Sequence, residues 1–147
     1  MGNLTKNELY WQIYSVRQQI NQAEQDLRGL EDKLEVLVEF KGKCNAKAET
    51  FLASVQRRKT KLAGINGIIG NMKSAKKYWE TMNGALTGSD YTKTKGSIDS
   101  IITSVDSEKK KVEQQISDKE YTIGELKGTL QYLQYLYDTY PEEEQNG

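Results

Sequence analysis

Hydrophobic residues recur along the first part of the chain in alternating steps of four and three. This spacing is the a/d pattern of a coiled-coil helix, in which one face of the helix is apolar. The series continues to Leu86 with few polar members, and it predicts one long helical arm over residues 5–83. Its unbroken beginning consists of Leu9, Ile13, Val16, Ile20, Ala23, Leu27, Leu30, Leu34 and Leu37.

Turn-forming residues interrupt the series after residue 83. Gly84 and Gly88 lie in a short stretch that also holds Ser89 and Asp90. Glycine is favoured just after the end of a helix, and serine and aspartate are favoured at the start of the next one. We therefore expect a turn at residues 84–90.

A second a/d series follows this turn and predicts a second helical arm over residues 91–139. Pro141 ends the arm, because proline cannot continue a helix. Residues 141–147 are expected to form a disordered acidic tail. The predicted fold is all-α, an elongated antiparallel coiled-coil hairpin formed by residues 1–140.

Residues 64–70 are a second place where the first arm is weak, because they include three glycines. Each glycine in a helix interior costs about 1 kcal/mol relative to alanine. A kink or a break at 64–70 is therefore an alternative. A break would make residues 70–86 a short middle helix and would lay the last arm beside the first, covering the N-terminal apolar series within the chain.

The arms predicted by a turn at 84–90 differ in length. At about 1.5 Å per residue, the first would span roughly 120 Å and the second roughly 75 Å. Residues 5–34 would then have no internal partner, and an exposed apolar stripe usually marks a binding surface. The predicted partner-binding seam consists of Leu9, Ile13, Val16, Ile20, Leu27, Leu30 and Leu34.

The composition argues against catalysis. The chain has no histidine, which is the side chain best suited to proton transfer near neutral pH and the commonest metal ligand. Cys44 is the single cysteine, so an internal disulfide is excluded. Acidic clusters such as Glu31, Asp32 and Glu35 are typical of a solvated coiled-coil face. We expect a non-enzymatic protein with no cofactor, no metal site and no catalytic residue.

Charge is unevenly distributed, although the formal net charge is zero. Residues 57–96 carry nine Lys or Arg against two acids, and residues 97–147 carry five against eleven. Clustered bases can bind phosphates, but we prefer an interpretation in which they pair with the acidic second arm, and we expect no nucleic-acid partner. The sequence shows no secretory signal and no apolar run of membrane-spanning length, so we expect a cytoplasmic protein without membrane insertion.

Four tyrosines crowd the end of the second arm, at positions 132, 135, 137 and 140. Tyrosine supplies a large contact area at low entropic cost and is enriched at interfaces. Two interpretations stay open, a recognition surface and packing within the hairpin.

The sequence around Trp79 resembles a known family. Residues 74–79 (SAKKYW) and 86–91 (LTGSDY) are similar to those of small helical helper proteins of Gram-positive type VII secretion. The resemblance is to the YwqH-like proteins that accompany LXG toxins, which are distant relatives of the WXG hairpins. Its turn motif falls on Trp79, Gly84 and Gly88, with threonine at position 81 where the family's Trp-x-Gly has glycine.

The resemblance implies an adaptor or chaperone that binds the helical N-terminal domain of a secreted toxin and makes it export-competent. A second small helical helper is a further implied partner. Tyr140 and Glu144 fit the Tyr-x-x-x-Asp/Glu export pattern of related tails, which implies co-secretion by a signal-peptide-independent route. The alternative function is a self-assembling coiled-coil scaffold that forms a homodimer through residues 9–37.

Overall fold

The computed structural model describes residues 4–69 and 73–141, without the side chains of residues 65–69, 74 and 75. It contains three helices in chain order: α1 over Lys6–Ile69, α2 over Lys73–Thr87 and α3 over Ser89–Asp138. No strand occurs in these two ranges. The all-α prediction is confirmed, and α1 pairs with the later helices in antiparallel fashion, as in a hairpin.

The helix bounds differ from the predicted arms. The first arm does not run to residue 83, because α1 ends at Ile69 and a separate helix begins at Lys73. The predicted turn at 84–90 is also wrong, since α2 and α3 cover these residues except Gly88. Burial explains the difference: α2 packs its apolar side back onto α1, as in the alternative arrangement with a short middle helix.

The described chain forms two compact units, and in the first of them the N-terminal part of α1 lies beside the C-terminal part of α3. Unit 1 comprises Met1–Glu35 with Lys111–Gly147, and unit 2 comprises Val36–Lys110. The core of unit 1 is built from α1 and α3 side chains at a/d positions, so the heptad pattern describes its buried face. The buried members are Leu9, Ile13, Val16, Ile20 and Leu133, and Leu126, Leu130, Leu136, Tyr137 and Tyr140 pack against them.

Polar contacts fix the antiparallel pairing in unit 1. Near the start of α1, the Lys6 ammonium lies 4.8 Å from the centre of the Tyr137 ring. Further along α1, Glu24 forms an ion pair of 3.4 Å with Lys127. As the residue numbers rise along α1, the numbers of their partners on α3 fall, which is expected of antiparallel helices.

Unit 2 has its own apolar cluster, in which Val55, Leu62 and Leu86 are buried and Phe51, Trp79 and Tyr91 pack around them. The Phe51 and Tyr91 rings stack with their centres 5.9 Å apart. The Trp79 indole Nε1–H donates a hydrogen bond to the Leu62 carbonyl oxygen at 3.0 Å. These contacts hold α2 and the start of α3 against α1.

An ion pair between α1 and α3 also stabilises unit 2. Lys41 Nζ lies 2.6 Å from Asp106 Oδ1. The hydrogen bond from Lys41 lowers the pKa of the Asp106 carboxyl below its ordinary value. A carboxyl whose pKa is lowered by folding stabilises the fold above the ordinary carboxyl pKa, and this contribution is lost as the pH falls.

The joint between α2 and α3 is Gly88, whose backbone lies close to that of Gly84. The Gly88 N–H donates to the Gly84 carbonyl oxygen at 2.6 Å, and the Thr92 N–H donates to the Gly88 carbonyl oxygen at 3.1 Å. A Cβ atom on Gly88 would clash with the Gly84 carbonyl oxygen, whereas a Cβ atom on Gly84 would meet nothing within 4 Å. Glycine is therefore needed at position 88 but not at position 84.

We expect Gly88→Ala to lower the free energy of unfolding by about 1–3 kcal/mol, the usual cost of forcing an atom into filled space. Gly84→Ala is the matched control, and it should raise stability by up to about 1 kcal/mol because alanine favours a helix over glycine. Urea unfolding followed by far-ultraviolet circular dichroism measures both variants. Equal effects of the two substitutions would contradict the close approach.

Candidate functional site

The predicted partner-binding seam lies inside the fold. Its first four members are buried against α3, and its last three, Leu27, Leu30 and Leu34, are half-buried. The expectation that residues 5–34 lack an internal partner is therefore wrong. The reason is the earlier end of the first helix, which lets the C-terminal part of α3 reach the N-terminal part of α1. The a/d seam itself is therefore not an open apolar stripe in this part of the described chain.

The predicted turn motif is structural and does not form a turn. Trp79 is half-buried in the unit 2 cluster. Gly84 lies within α2, and Gly88 forms the joint between α2 and α3. Trp79 stabilises packing and Gly88 permits the close backbone approach, and the three residues are not brought together as a recognition site.

The structure describes only one of the two residues of the predicted export signal. Tyr140 is half-buried and packs against the core of unit 1. Glu144 lies outside the described residues, as does the predicted acidic tail after Pro141. The export signal stays a prediction.

The packing interpretation holds for two of the C-terminal tyrosines, and the recognition interpretation stays a prediction for the other two. Tyr137 and Tyr140 pack against the unit 1 core. Tyr132 and Tyr135 are 62% and 63% exposed. The second pair is available for recognition, while the first pair stabilises the hairpin.

A row of three exposed aromatic residues occupies the start of α1. Tyr10, Trp11 and Tyr14 are 50%, 57% and 51% exposed. The Tyr10 and Trp11 ring centres are 5.3 Å apart with an interplanar angle of 83°, and the Trp11 and Tyr14 centres are 5.9 Å apart at 79°. Edge-to-face contact of this kind is favourable between aromatic rings. We call these three residues the aromatic ladder.

A shallow groove runs beside the aromatic ladder on unit 1. Ile13 and Tyr137 contribute to its apolar lining, and Arg17 and Gln134 contribute polar groups. The Arg17 guanidinium donates a hydrogen bond to Gln134 Oε1 at 3.1 Å. The Gln134 amide in turn donates to Asp138 Oδ1 at 3.3 Å. An apolar patch with polar groups nearby is the common anatomy of a protein interface.

A capping box fixes the helix that carries the aromatic ladder. The Glu8 N–H donates to Thr5 Oγ1 at 3.1 Å, and the Thr5 N–H donates to Glu8 Oε2 at 2.9 Å. These reciprocal bonds satisfy backbone donors that a helix start otherwise leaves unpaired. The first turn of α1 is thereby held in helical form next to Tyr10 and Trp11.

The sequence interpretation missed both features, although the sequence contained a signal for each. Thr5 and Glu8 match the Thr-x-x-Glu capping pattern just before an apolar series. The aromatic ladder places three rings within five residues, at positions that the a/d series does not use. Large apolar residues outside the seam of a coiled-coil helix point to a second contact surface.

The described residues offer little for metal chemistry. In the ranges 4–69 and 73–141, no group of three or more Cys, Asp or Glu residues is placed to hold a metal ion. Cys44 is half-buried. Nor does any helix in the described part of the chain combine the length and apolarity that crossing a membrane requires.

The aromatic ladder and the adjacent groove on unit 1 are thus the candidate functional site. Their side chains are positioned by the capped start of α1 and by the packing of α1 on α3. The site offers apolar rings and hydrogen-bonding groups, which suit the binding of a protein partner. Comparisons with protein-family models, with curated proteins and with solved structures find no match to this chain.

Proposed function

We propose that this protein is a non-enzymatic helix-binding adaptor. Its partner is the helical N-terminal domain of a type VII secreted toxin of the LXG type, which the adaptor makes competent for export. The observation that carries the binding role is the exposure of the aromatic ladder on a capped, rigid helix. The resemblance of residues 74–91 to the secretion helpers supplies the class of partner.

The size of the ladder suits a binding surface. An aromatic side chain buries about 150–250 Å2, so three half-exposed rings leave roughly 300 Å2 to be covered by a partner. At about 25 cal/mol per Å2, this contact contributes on the order of 5 kcal/mol or more before the entropic cost of association. Tryptophan and tyrosine are the residues that most often dominate interface energies.

The position of the ladder suits a partner that is itself helical. At the start of α1 the a/d face is already covered by α3, so a further helix there must bind an outer face of the pair. The groove beside Tyr10 and Tyr14 provides such a face, and adding helices to it would extend the hairpin into a larger bundle. The alternative scaffold function requires dimerisation through residues 9–37, and the covered seam removes support for it.

Co-expression tests this proposal. We expect the gene for this chain to lie beside one that encodes such a toxin, and the N-terminal domain of that toxin should co-purify with this chain as a soluble complex. Trp11→Ala should weaken the complex by about 30-fold or more, because loss of a central interface tryptophan typically costs 2 kcal/mol or more. Isothermal titration calorimetry with the purified domain measures the loss.

Gln18→Ala is the matched control, since Gln18 is exposed and lies one heptad after Trp11. It should leave the affinity nearly unchanged. Both variants should keep the helical spectrum of the unsubstituted chain. Full-strength binding by Trp11→Ala would show that the aromatic ladder is not the binding surface. Failure of the unsubstituted chain to bind the toxin domain would reject the partner.

A further inference from the structure

The zero net charge of the chain conceals two oppositely charged halves. Unit 1 contains seven Lys or Arg and fourteen Asp or Glu, for a formal charge of −7. Unit 2 contains fourteen Lys or Arg and seven Asp or Glu, for a formal charge of +7. The division follows the compact units of the fold. Three of the unit 1 carboxylates lie after residue 141, outside the described residues, and the described residues of unit 1 carry seven Lys or Arg against eleven Asp or Glu.

Most basic residues of unit 2 are exposed, and several of them lie on two helices that pack together. Arg57 on α1 and Lys73, Lys76 and Lys77 on α2 are all exposed. The sequence suggested that these basic residues pair with the acidic second arm, predicted over residues 91–139. The structure instead folds the basic stretches onto each other, since α2 packs against the part of α1 that contains Arg57, and the predicted pairing is wrong for these stretches.

One basic contact illustrates this arrangement. The Lys59 ammonium lies 5.3 Å from the centre of the Tyr91 ring, within the range of a cation–π interaction. This ring belongs to the unit 2 cluster. A cation–π contact leaves the positive charge in place, because the ring is neutral. The contact therefore does not reduce the positive charge of unit 2.

Unit 1 presents acidic residues in the same exposed manner. Glu31, Asp32 and Glu35 are exposed on α1, and Glu120 is exposed on α3. Lys119 and Lys127 form ion pairs with Asp26 and Glu24, so part of the basic complement of this unit is used internally. An excess of exposed carboxylates remains on unit 1.

We propose that unit 1 of one copy binds unit 2 of a second copy, so that the chain associates with itself head to tail. The two units have opposite net charge, which provides the complementarity. The surfaces in contact differ, so the interface is heterologous and each added copy exposes a new unit of either charge. This inference goes beyond the adaptor role and does not depend on it.

Apolar groups beside the basic patch favour a protein partner over a simple polyanion. Tyr78 is 56% exposed and Met82 is 37% exposed, and both line a groove with Arg58 and Lys61. The phosphates of a nucleic acid would be attracted to the Lys and Arg side chains of unit 2, but they would be repelled by the carboxylates of unit 1. A second copy of the chain avoids this repulsion, because its own unit 1 supplies the carboxylates that contact unit 2.

Two charge variants test the proposal with the isolated full chain. The basic variant carries Arg57→Gln, Lys73→Gln, Lys76→Gln and Lys77→Gln, which reduces the charge of unit 2 from +7 to +3. The acidic variant carries Glu31→Gln, Asp32→Asn, Glu35→Gln and Glu120→Gln, which changes unit 1 from −7 to −3. Glutamine keeps a good helix propensity, and circular dichroism checks that both variants fold.

Sedimentation velocity measures the assembly. The unsubstituted chain should form species that grow with concentration at about 0.01 M salt, and it should return to monomer near 1 M salt, where charges are screened beyond about 3 Å. Each variant alone should associate at least about tenfold more weakly. A mixture of the two should recover a complex, because one variant keeps its acidic unit and the other keeps its basic unit. That complex should stop at a 1:1 stoichiometry.

Three results would overturn the inference. A strictly monomeric chain at low salt excludes self-association. A variant that assembles as well as the unsubstituted chain shows that charge does not drive the contact. Binding of a duplex oligonucleotide or an anionic vesicle more tightly than a second copy assigns the basic patch to that ligand. None of these results bears on toxin binding by the aromatic ladder, so the two proposals fail separately.

Discussion

Ile13→Asp should lower the free energy of unfolding of unit 1 by roughly 3–5 kcal/mol. Ile13 is 5% exposed and packs in the cluster formed by the start of α1 and the end of α3. The substitution removes buried apolar contacts and places a carboxylate where water can solvate it only poorly, and both effects destabilise a core. Amide hydrogen exchange should show the loss of protection in α1 and in the C-terminal part of α3.

Gln12→Asp is the control for this substitution, since Gln12 is the exposed neighbour of Ile13 on the same turn. It introduces the same charge without touching the core, and its effect should stay within about 0.5 kcal/mol. A seam left open for a partner would give a different result: Ile13→Asp would then be as stable as Gln12→Asp. Equal stability of the two variants would thus contradict the internal pairing of α1 and α3.

Trp79→Ala should lower the free energy of unfolding of unit 2 by about 3–5 kcal/mol, the usual range for truncation of a packed tryptophan. The indole ring packs beside Leu62 and Leu86, and its N–H donates to the Leu62 carbonyl oxygen. Removing it should loosen α2 from α1. Urea unfolding followed by circular dichroism measures the change.

Two control variants separate the parts of this effect. Tyr78→Ala alters an exposed neighbour and should cost less than about 0.5 kcal/mol. Trp79→Phe keeps an aromatic ring but loses the hydrogen bond, and it should cost about 1 kcal/mol for that bond plus a smaller packing term. If Trp79→Ala were no more harmful than Tyr78→Ala, the packing of α2 on α1 would be contradicted.

The heptad pattern predicted the helical fold and identified the buried face of α1. Leu9, Ile13, Val16 and Ile20 are indeed core residues. The pattern could not say which helix covers them, because an a/d face fits a partner chain and a second helix of the same chain equally well. The choice depends on where the chain reverses, and that information is not local.

The position of the reversal was predicted wrongly because glycine signals are weak. Glycines occur both at 64–70 and at 84–90, and each costs only about 1 kcal/mol in a helix. Burial of Trp79 and Leu86 against α1 outweighs such a cost, so residues 84–87 remain helical. Residues 64–69 also remain helical, as the end of α1, and α2 begins at Lys73. Glycine content alone therefore did not locate the reversal of the chain.

The candidate site was harder to predict than the fold. Tyr10, Trp11 and Tyr14 lie outside the a/d series, and periodicity says nothing about whether such residues are covered. Their exposure depends on which face of α1 is covered by α3, and α3 covers the a/d face. The charge division between the units has a similar origin, since it depends on which distant segments fold together.

A pair of distance measurements tests the central claim, that the C-terminal part of α3 covers the N-terminal part of α1. Spin labels at positions 17 and 134, in a Cys44→Ser background, should lie close together, because Arg17 and Gln134 are hydrogen-bonded. Labels at positions 35 and 139 should lie roughly 35 Å apart, since they lie eleven and twelve residues in opposite directions from the Glu24–Lys127 pair at about 1.5 Å per residue. The reverse result, a short distance between 35 and 139 and a long one between 17 and 134, would restore the turn at 84–90 and contradict this fold.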